Sequence, residues 1–262
     1  MADPVTVSRL AALDMAGACV PHERAQNLGA IGKLLKGEPF YTFGIKAVEA
    51  AVRSGRLTVG TVLADVARLT GCSPDPRLQS GPGYIDPGRT TAGLRLLADR
   101  LAAACADGQR VAFGTGHPGS LLGFWTPLAH WAAAHGAQLV TGPVGHPVGP
   151  GQCLDVIGHV GTVSDGCSLL HHHSHRAGEA TLAGQRVDLV CGDHGWAGAA
   201  INAGLPCVAV MDTNDPGLAV AAGLGVLGLT VIPSGDNSPN GVMGEVAEWV
   251  MRRAAGQPGP LD

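Results

Sequence analysis

Three stretches in the first part of the chain place apolar residues three and four positions apart between turn signals: VTVSRLAALDMAGACV (5–20), HERAQNLGAIGKLLKG (22–37) and SGRLTVGTVLADVARLTG (54–71). On a helix that spacing gathers the apolar side chains into one stripe, so each stretch predicts an amphipathic helix. The segment GCSPDPRLQSGPGYIDPGRT (71–90) is dense in Pro, Gly and Ser and predicts a long loop, followed by a helix from near Arg89 to about Asp107. From Arg110 the pattern changes. Short β-rich runs, RVAFG, AQLV, VDLVCG, PCVAVM and LGLTVIP, alternate with helical stretches such as 117–135, and LDVIGHVGTVSDGCSLLH (154–171) predicts a hairpin. This alternation predicts a doubly wound, mostly parallel, Rossmann-like α/β sheet over residues 89–262. Residues 1–88 form a helical N-terminal region and loop, the two parts making one integrated unit.

Composition narrows the partners. A net charge of −4 with 17 scattered Lys and Arg gives no basic field, which argues against nucleic acid. The stretch GLAVAAGLGVLGLTVIP falls short of the ~20 residues a bilayer needs and reads as helix, turn and strand, so no membrane partner is expected. Seven cysteines without a CxxC pair, and an N-terminus without a basic region and apolar run, fit a reducing cytoplasm better than secretion. Trp125, Trp131 and Trp249 lie at helical spacing and are expected in the core or at a homo-oligomer interface. Trp196 is placed to stack on a ligand.

In an open parallel sheet the ligand lies at the carboxyl ends of the strands, and the polar residues of this chain fall there. Thr115 and His117 follow VAFG, His171 and His173 follow CSLL, and Asp193 and His194 follow VDLVCG. Asp212, Asn214 and Asp215 follow PCVAVM, and Asp236 and Asn237 follow LTVIPSG. Gly114, Gly116 and Gly119 satisfy G-x-G-x-x-G between a strand and a helix, with Pro118 at the helix start and Ser120 beside it. Such a turn binds phosphate through free N–H groups and the helix dipole. A dinucleotide site needs an acid at the end of the next strand, but AQLVTGPVG ends in Thr and Gly. A nucleotide- or NAD-binding protein or oxidoreductase is therefore the alternative, and a turn that only lets helix and strand pack is the simplest case.

If His171 and His173 continue a strand, they share a face roughly 6–7 Å apart, close enough to meet one metal or phosphate. If they lie on a loop, a solvated polar turn is the simpler outcome. Asp193 either caps the following helix or serves chemistry. Asp212, Asn214 and Asp215 either cap the helix near Pro216 or hold a divalent metal, Mg²⁺ above all. A scaffold without catalysis would turn these acids outward as caps. No G-x-S-x-G, H-E-x-x-H or P-loop sequence is present.

The segments YTFGI, IDPGRT, GTGHPGSLLGF, LLHHHS, DHGWAGAAINAG and DTNDPGLAV, in that order, resemble the patterns of a mainly actinobacterial phosphatase family from about residue 22 onward. The resemblance implies an α/β enzyme that hydrolyses a small phosphate ester, with His117, His171, His173, Asp193 and His194 at its hallmark positions. His172 stands where the family has Thr, and His175 where it tends to have Pro. On this reading Asp193, His194 and His117 carry the chemistry. Thr115, Gly116, Gly119, Ser120, His171 and His173 hold a small-molecule phosphorylated substrate, and Asp212, Asn214 and Asp215 hold the metal or orient water.

Overall fold

The computed structural model describes residues 3–18 and 21–262. Six helices come first: α1 (Pro4–Ala12), α2 (Arg24–Leu35), α3 (Pro39–Thr42), α4 (Lys46–Arg53), α5 (Val59–Thr70) and α6 (Pro87–Ala106). The sheet region follows: β1 (Arg110–Gly114), α7 (Pro118–Ala134), β2 (Gln138–Val140), β3 (Pro147–Gly149), β4 (Gln152–Ile157), β5 (Val160–Ser164), α8 (Arg176–Leu182), β6 (Leu189–Asp193), α9 (His194–Asn202), β7 (Cys207–Met211), α10 (Pro216–Gly223), β8 (Leu229–Pro233) and α11 (Asn240–Ala254).

The strands form one sheet in the order β3-β4-β5-β1-β6-β7-β8. β1 has an edge shared by two neighbours: β2 pairs with Arg110–Ala112 and β5 with Phe113–Gly114, both parallel. β6, β7 and β8 continue parallel on the other side, while β3 and β4 close the sheet with antiparallel pairing. The expected α/β class with a mostly parallel sheet is what the chain adopts. The parallel strands run β2-β1-β6-β7-β8, which departs from the Rossmann order; the winding direction reverses between β1 and β6, and there the loops splay apart to leave a crevice.

Side-chain alternation along the buried strands divides the core into two layers. Val111, Phe113, Cys191, Val208 and Val210 pack against α1, α6, α7 and α11, whereas Ala112, Val190, Cys207, Ala209 and Met211 pack against α2, α4, α5, α9 and α10. Trp125 and Trp249 are core residues and Trp131 is partly buried against the same cluster, whereas Trp196, expected to stack on a ligand, is instead buried against Val148, Leu154 and Val163. The segment Tyr41–Phe43 lies directly on α9 and α10. A Cβ at Gly198 would meet the Phe43 carbonyl at 2.1 Å and one at Gly217 the Tyr41 carbonyl at 2.4 Å, so this approach requires glycine on both helices.

Three local expectations change. The helix expected over 5–20 ends at Ala12, because Asp14 and Gly17 adopt positive φ and Gly17 pairs with Ile85; Cys19 and Val20 lie outside the described residues. The hairpin expected to reach residue 171 ends at Ser164, and CSLL keeps a single bridge, Ser164 to Leu169. The four-residue α3, α4 and the C-terminal α11 add helices that the pattern did not assign. No helix is long and apolar enough to cross a membrane among the described residues, and the six cysteines described are free thiols.

Candidate active site

The loops after β1, β6, β7 and β8 and the irregular loop carrying His171 and His173 bring His117, Asp193, His194, Asp212, Asp215 and Asp236 together. β6 is buried along its length and delivers Asp193, whose side chain makes no cap bond to α9. The carboxylate instead crosses to the β1 loop: Oδ1 accepts the Gly116 N–H at 2.7 Å and Oδ2 accepts the Thr115 hydroxyl at 3.0 Å. The Thr115 oxygen in turn accepts the His117 N–H at 2.9 Å. Asp193 therefore fixes the β1 turn, and both its oxygens are committed.

The G-x-G-x-x-G turn consequently differs from an open phosphate cradle. Thr115 N–H donates to Gly161, Gly116 N–H to Asp193, His117 N–H to Thr115 and Ser120 N–H to His117. The His172 carbonyl covers Gly116 so closely that an added Cβ would lie 2.1 Å away. This leaves no approach for a dinucleotide pyrophosphate along that face. Gly119 stays exposed at the start of α7, and Ser120 is buried beside it with an unpartnered Oγ.

His194 occupies the first position of α9 with φ +36, a conformation that non-glycine residues adopt at a cost. Its ring lies at the centre of the cluster. Nε2 is 3.2 Å from Asp215 and 3.6 Å from Asp236, Nδ1 is 3.9 Å from Asp193, and the ring stacks at 3.9 Å on His173. His117 is 3.3 Å from Asp236 and 3.7 Å from Asp193. Burial opposes the charged form of His194, but facing Asp215 and Asp193 outweigh it and hold the imidazole well above its ordinary value.

His171 and His173 lie on an irregular loop, yet they are not a solvated turn. Their Nε2 atoms are 2.6 Å apart. His173 Nδ1–H donates to the Phe40 carbonyl at 2.8 Å, and the ring stacks on Phe40 at 3.5 Å. That bond places the lone pair of neutral His173 on Nε2, the arrangement of a ligating imidazole steadied from behind by a carbonyl. Burial, reinforced by neighbouring imidazoles, lowers His171 to about 4 and His173 further still, so both rings are neutral. His172 points elsewhere: its Nδ1 accepts the Ser174 N–H at 3.2 Å and its Nε2–H donates to Gln152 at 3.1 Å.

Asp212 and Asp215 fall in two different groups of possible ligands that share Asp236. The turn they occupy folds Asp215 Oδ2 back onto the Asp212 N–H at 3.0 Å, which directs the two carboxylates to different neighbours. Asp212 gathers with His22 and Asp236 and Asp215 with His194 and Asp236, while the Asn214 Oδ1 is buried without a hydrogen-bond partner. Neither acid caps α10 in the way the helix start suggested. A third group joins His117, His171, His173 and His194, with the donor atoms in each group lying within 4.8 Å of one another.

Asp193, Asp212, Asp215 and Asp236 are all at most 1% exposed, the reverse of outward-turned caps. Among the described residues every ion pair they make is to histidine. Burial, followed by Asp236 and Asp215, pushes the Asp212 carboxyl well above the usual carboxylate range. His117 and His194 hold Asp236 below it despite burial.

Sequence reasoning missed His22 altogether and named Asp236 without a role. Asp236 carried the signal of every strand end in this sheet. His22 is a lone histidine before a helix and carried none.

Two cavities flank His171. One of about 380 Å³ is lined by Gly119, Ser120, Asp236, Asn237 and Ser238. The other, about 630 Å³, is lined by Phe40, Val148, Pro150, Gln152 and Arg176.

A family model described as Phosphatase matches residues 6–257. A Streptomyces coelicolor protein named Phosphatase SCO2771 is 34% identical over 214 residues, covering 79% of this chain and 79% of its own length.

Proposed function

Because this chain belongs to the Phosphatase family, we propose that it hydrolyses a small-molecule phosphate ester with the help of divalent metal held in the crevice. One observation carries the reading. His117 Nδ1, His194 Nδ1, Asp212 Oδ2, Asp215 Oδ1 and Asp236 Oδ2 are buried and lack hydrogen-bond partners, and their residues fall in overlapping groups of possible ligands. Unpaired buried polar atoms are costly, and so many together fit a charged ligand that completes them. The carboxylates, together with the neutral imidazoles of His171 and His173, fit a divalent cation. The imidazole share moves the expectation from Mg²⁺ toward a metal that accepts nitrogen, such as Zn²⁺ or Fe²⁺. Such a cation would supply charge for the phosphoryl oxygens and acidify the attacking water.

The chain's own groups do the rest. The smaller cavity suits the phosphoryl group, since Gly119 and Ser120 at the α7 N-terminus and Asn237 line it. The larger cavity, with Phe40 and Arg176 in its wall, receives the remainder of the ester. Asp193 acts as a positioning residue, since both its oxygens are spent on the β1 turn. When His194 Nε2–H is bonded to Asp215, Nδ1 keeps a lone pair free to bind metal or accept a proton. A cytoplasmic setting suits the free thiols.

The test is phosphate release from a panel of sugar phosphates and nucleotides, before and after EDTA and with Zn²⁺, Mn²⁺ or Mg²⁺ restored. Release that disappears with chelation and returns with metal is expected. Release indifferent to chelation overturns the reading.

A further inference from the structure

We propose that the crevice is a two-metal centre, with one divalent cation on His117, His171, His173 and His194, a second on His22 and Asp212, and the Asp236 carboxylate between them. The inference rests on metal-assisted hydrolysis and specifies how the metal is held.

The first argument is reach. Two ligands of one cation lie at most twice the metal–ligand distance apart, about 4.4 Å for nitrogen and oxygen donors. The donors of this crevice come within 4.8 Å of one another only in separate sets: four imidazoles in one, His22, Asp212 and Asp236 in another, and His194, Asp215 and Asp236 in a third that overlaps both. A single cation cannot serve the first two. Asp236 connects them, because its Oδ2 is 3.3 Å from His117 and 3.6 Å from His194 while the residue also groups with His22 and Asp212.

The second argument is charge. Four carboxylates, Asp193, Asp212, Asp215 and Asp236, are buried together, and their only ion-pair partners among the described residues are histidines. As metal ligands the carboxylates are ionised and the imidazoles neutral, so four negative charges balance two divalent cations. One cation would leave two buried negative charges to be met by imidazolium rings placed beside the metal, which is the less favourable solution.

The third argument is the donor state on each side. His117 Nδ1 and His194 Nδ1 lack partners in the imidazole set, and Asp212 Oδ2 lacks one in the other set. His22 Nε2 lies 3.6 Å from Asp212, and its 2.7 Å contact with the Asn237 amide has to give way when that nitrogen takes a metal. Paired metals recur where a phosphoryl group is displaced in line, since they stabilise the attacking and leaving oxygens together.

The experiment strips the full chain with chelator, saturates it with Co²⁺, removes free metal and measures cobalt per chain by mass spectrometry and visible absorption. Two equivalents are expected for the unaltered protein. His22→Ala and His171→Ala are each expected to keep one, with different absorption spectra because the surviving ligand sets differ. Saturation at one equivalent, or two equivalents retained by His22→Ala, overturns the proposal. If His22→Ala fails to fold by circular dichroism, Asp212→Asn addresses the same half, and the stoichiometry of the unaltered chain decides in any case. Phosphate release in the same samples separates the two readings. One equivalent with chelation-sensitive release overturns the paired centre and leaves metal-assisted hydrolysis standing, whereas two equivalents with chelation-insensitive release does the reverse.

Discussion

Thr115 shows how much of this site depends on one small side chain. Its hydroxyl donates to Asp193 and accepts from the His117 N–H, so removing it leaves two buried polar groups without partners. Thr115→Ala is expected to cost about 1–3 kcal/mol in urea denaturation, while Thr115→Ser, which keeps the oxygen, costs less. His194 is tested differently. Alanine is poorly suited to φ +36, but Asn tolerates the left-handed region. His194→Asn is therefore expected to keep the far-UV circular dichroism spectrum and lose at least about 100-fold in phosphate release. At this scale the sequence exposed Asp193 and His194 because an apolar run ends there. It could not reveal that Asp193 spans to the β1 loop, since a hydrogen bond between residues 77 apart leaves no local trace. The same holds for His22, which reaches Asp212 only once the N-terminal segment has packed down.

The elements are positioned by close backbone approaches, and α9 is the clearest case. A Cβ at Gly195 would fall 2.2 Å from the Ser174 carbonyl and 2.7 Å from that of His173. Neither atom is a flexible tip, so Gly195→Ala has to displace the loop that carries His171 and His173. Loss of bound metal together with a lowered melting temperature is the expected result. Gly119 in the first turn of α7 has nothing within 4 Å of a built Cβ. Gly119→Ala is expected to change stability by no more than about 1 kcal/mol in the same melts. The strands and most long helices were legible because period two and period three-to-four patterns are local. The short α3 and the irregular His171–Ser174 loop were not, because tertiary contacts rather than periodicity fix them: Phe43 against Gly198 in one case, and Phe40 against His173 in the other.

Across the whole molecule, the N-terminal helices share a core with the sheet: Ile31, Val62, Leu63 and Val66 lie in one buried cluster with Leu218, Ala209 and Met211. We therefore expect one unfolding unit. All four tryptophans fall after residue 124, so their fluorescence reports the sheet region, whereas circular dichroism reports every helix. Coincident urea transitions by the two probes are expected, and a separate early loss of helix signal would show an independent N-terminal unit. Metal that binds only the folded chain should stabilise it by about 2.7 kcal/mol at a hundredfold excess over Kd, measurable as a rise in melting temperature.

The shared edge of β1 separates two evolutionary tasks. β2 holds the lower half of that edge as part of the parallel winding. The antiparallel arm β3–β5 touches only the upper half, and carries Val148 and Gln152 into the wall of the larger cavity. Changes of length confined to the β3–β4 turn are therefore expected to reshape the larger cavity while leaving the strands that present Asp193 and Asp212 in place.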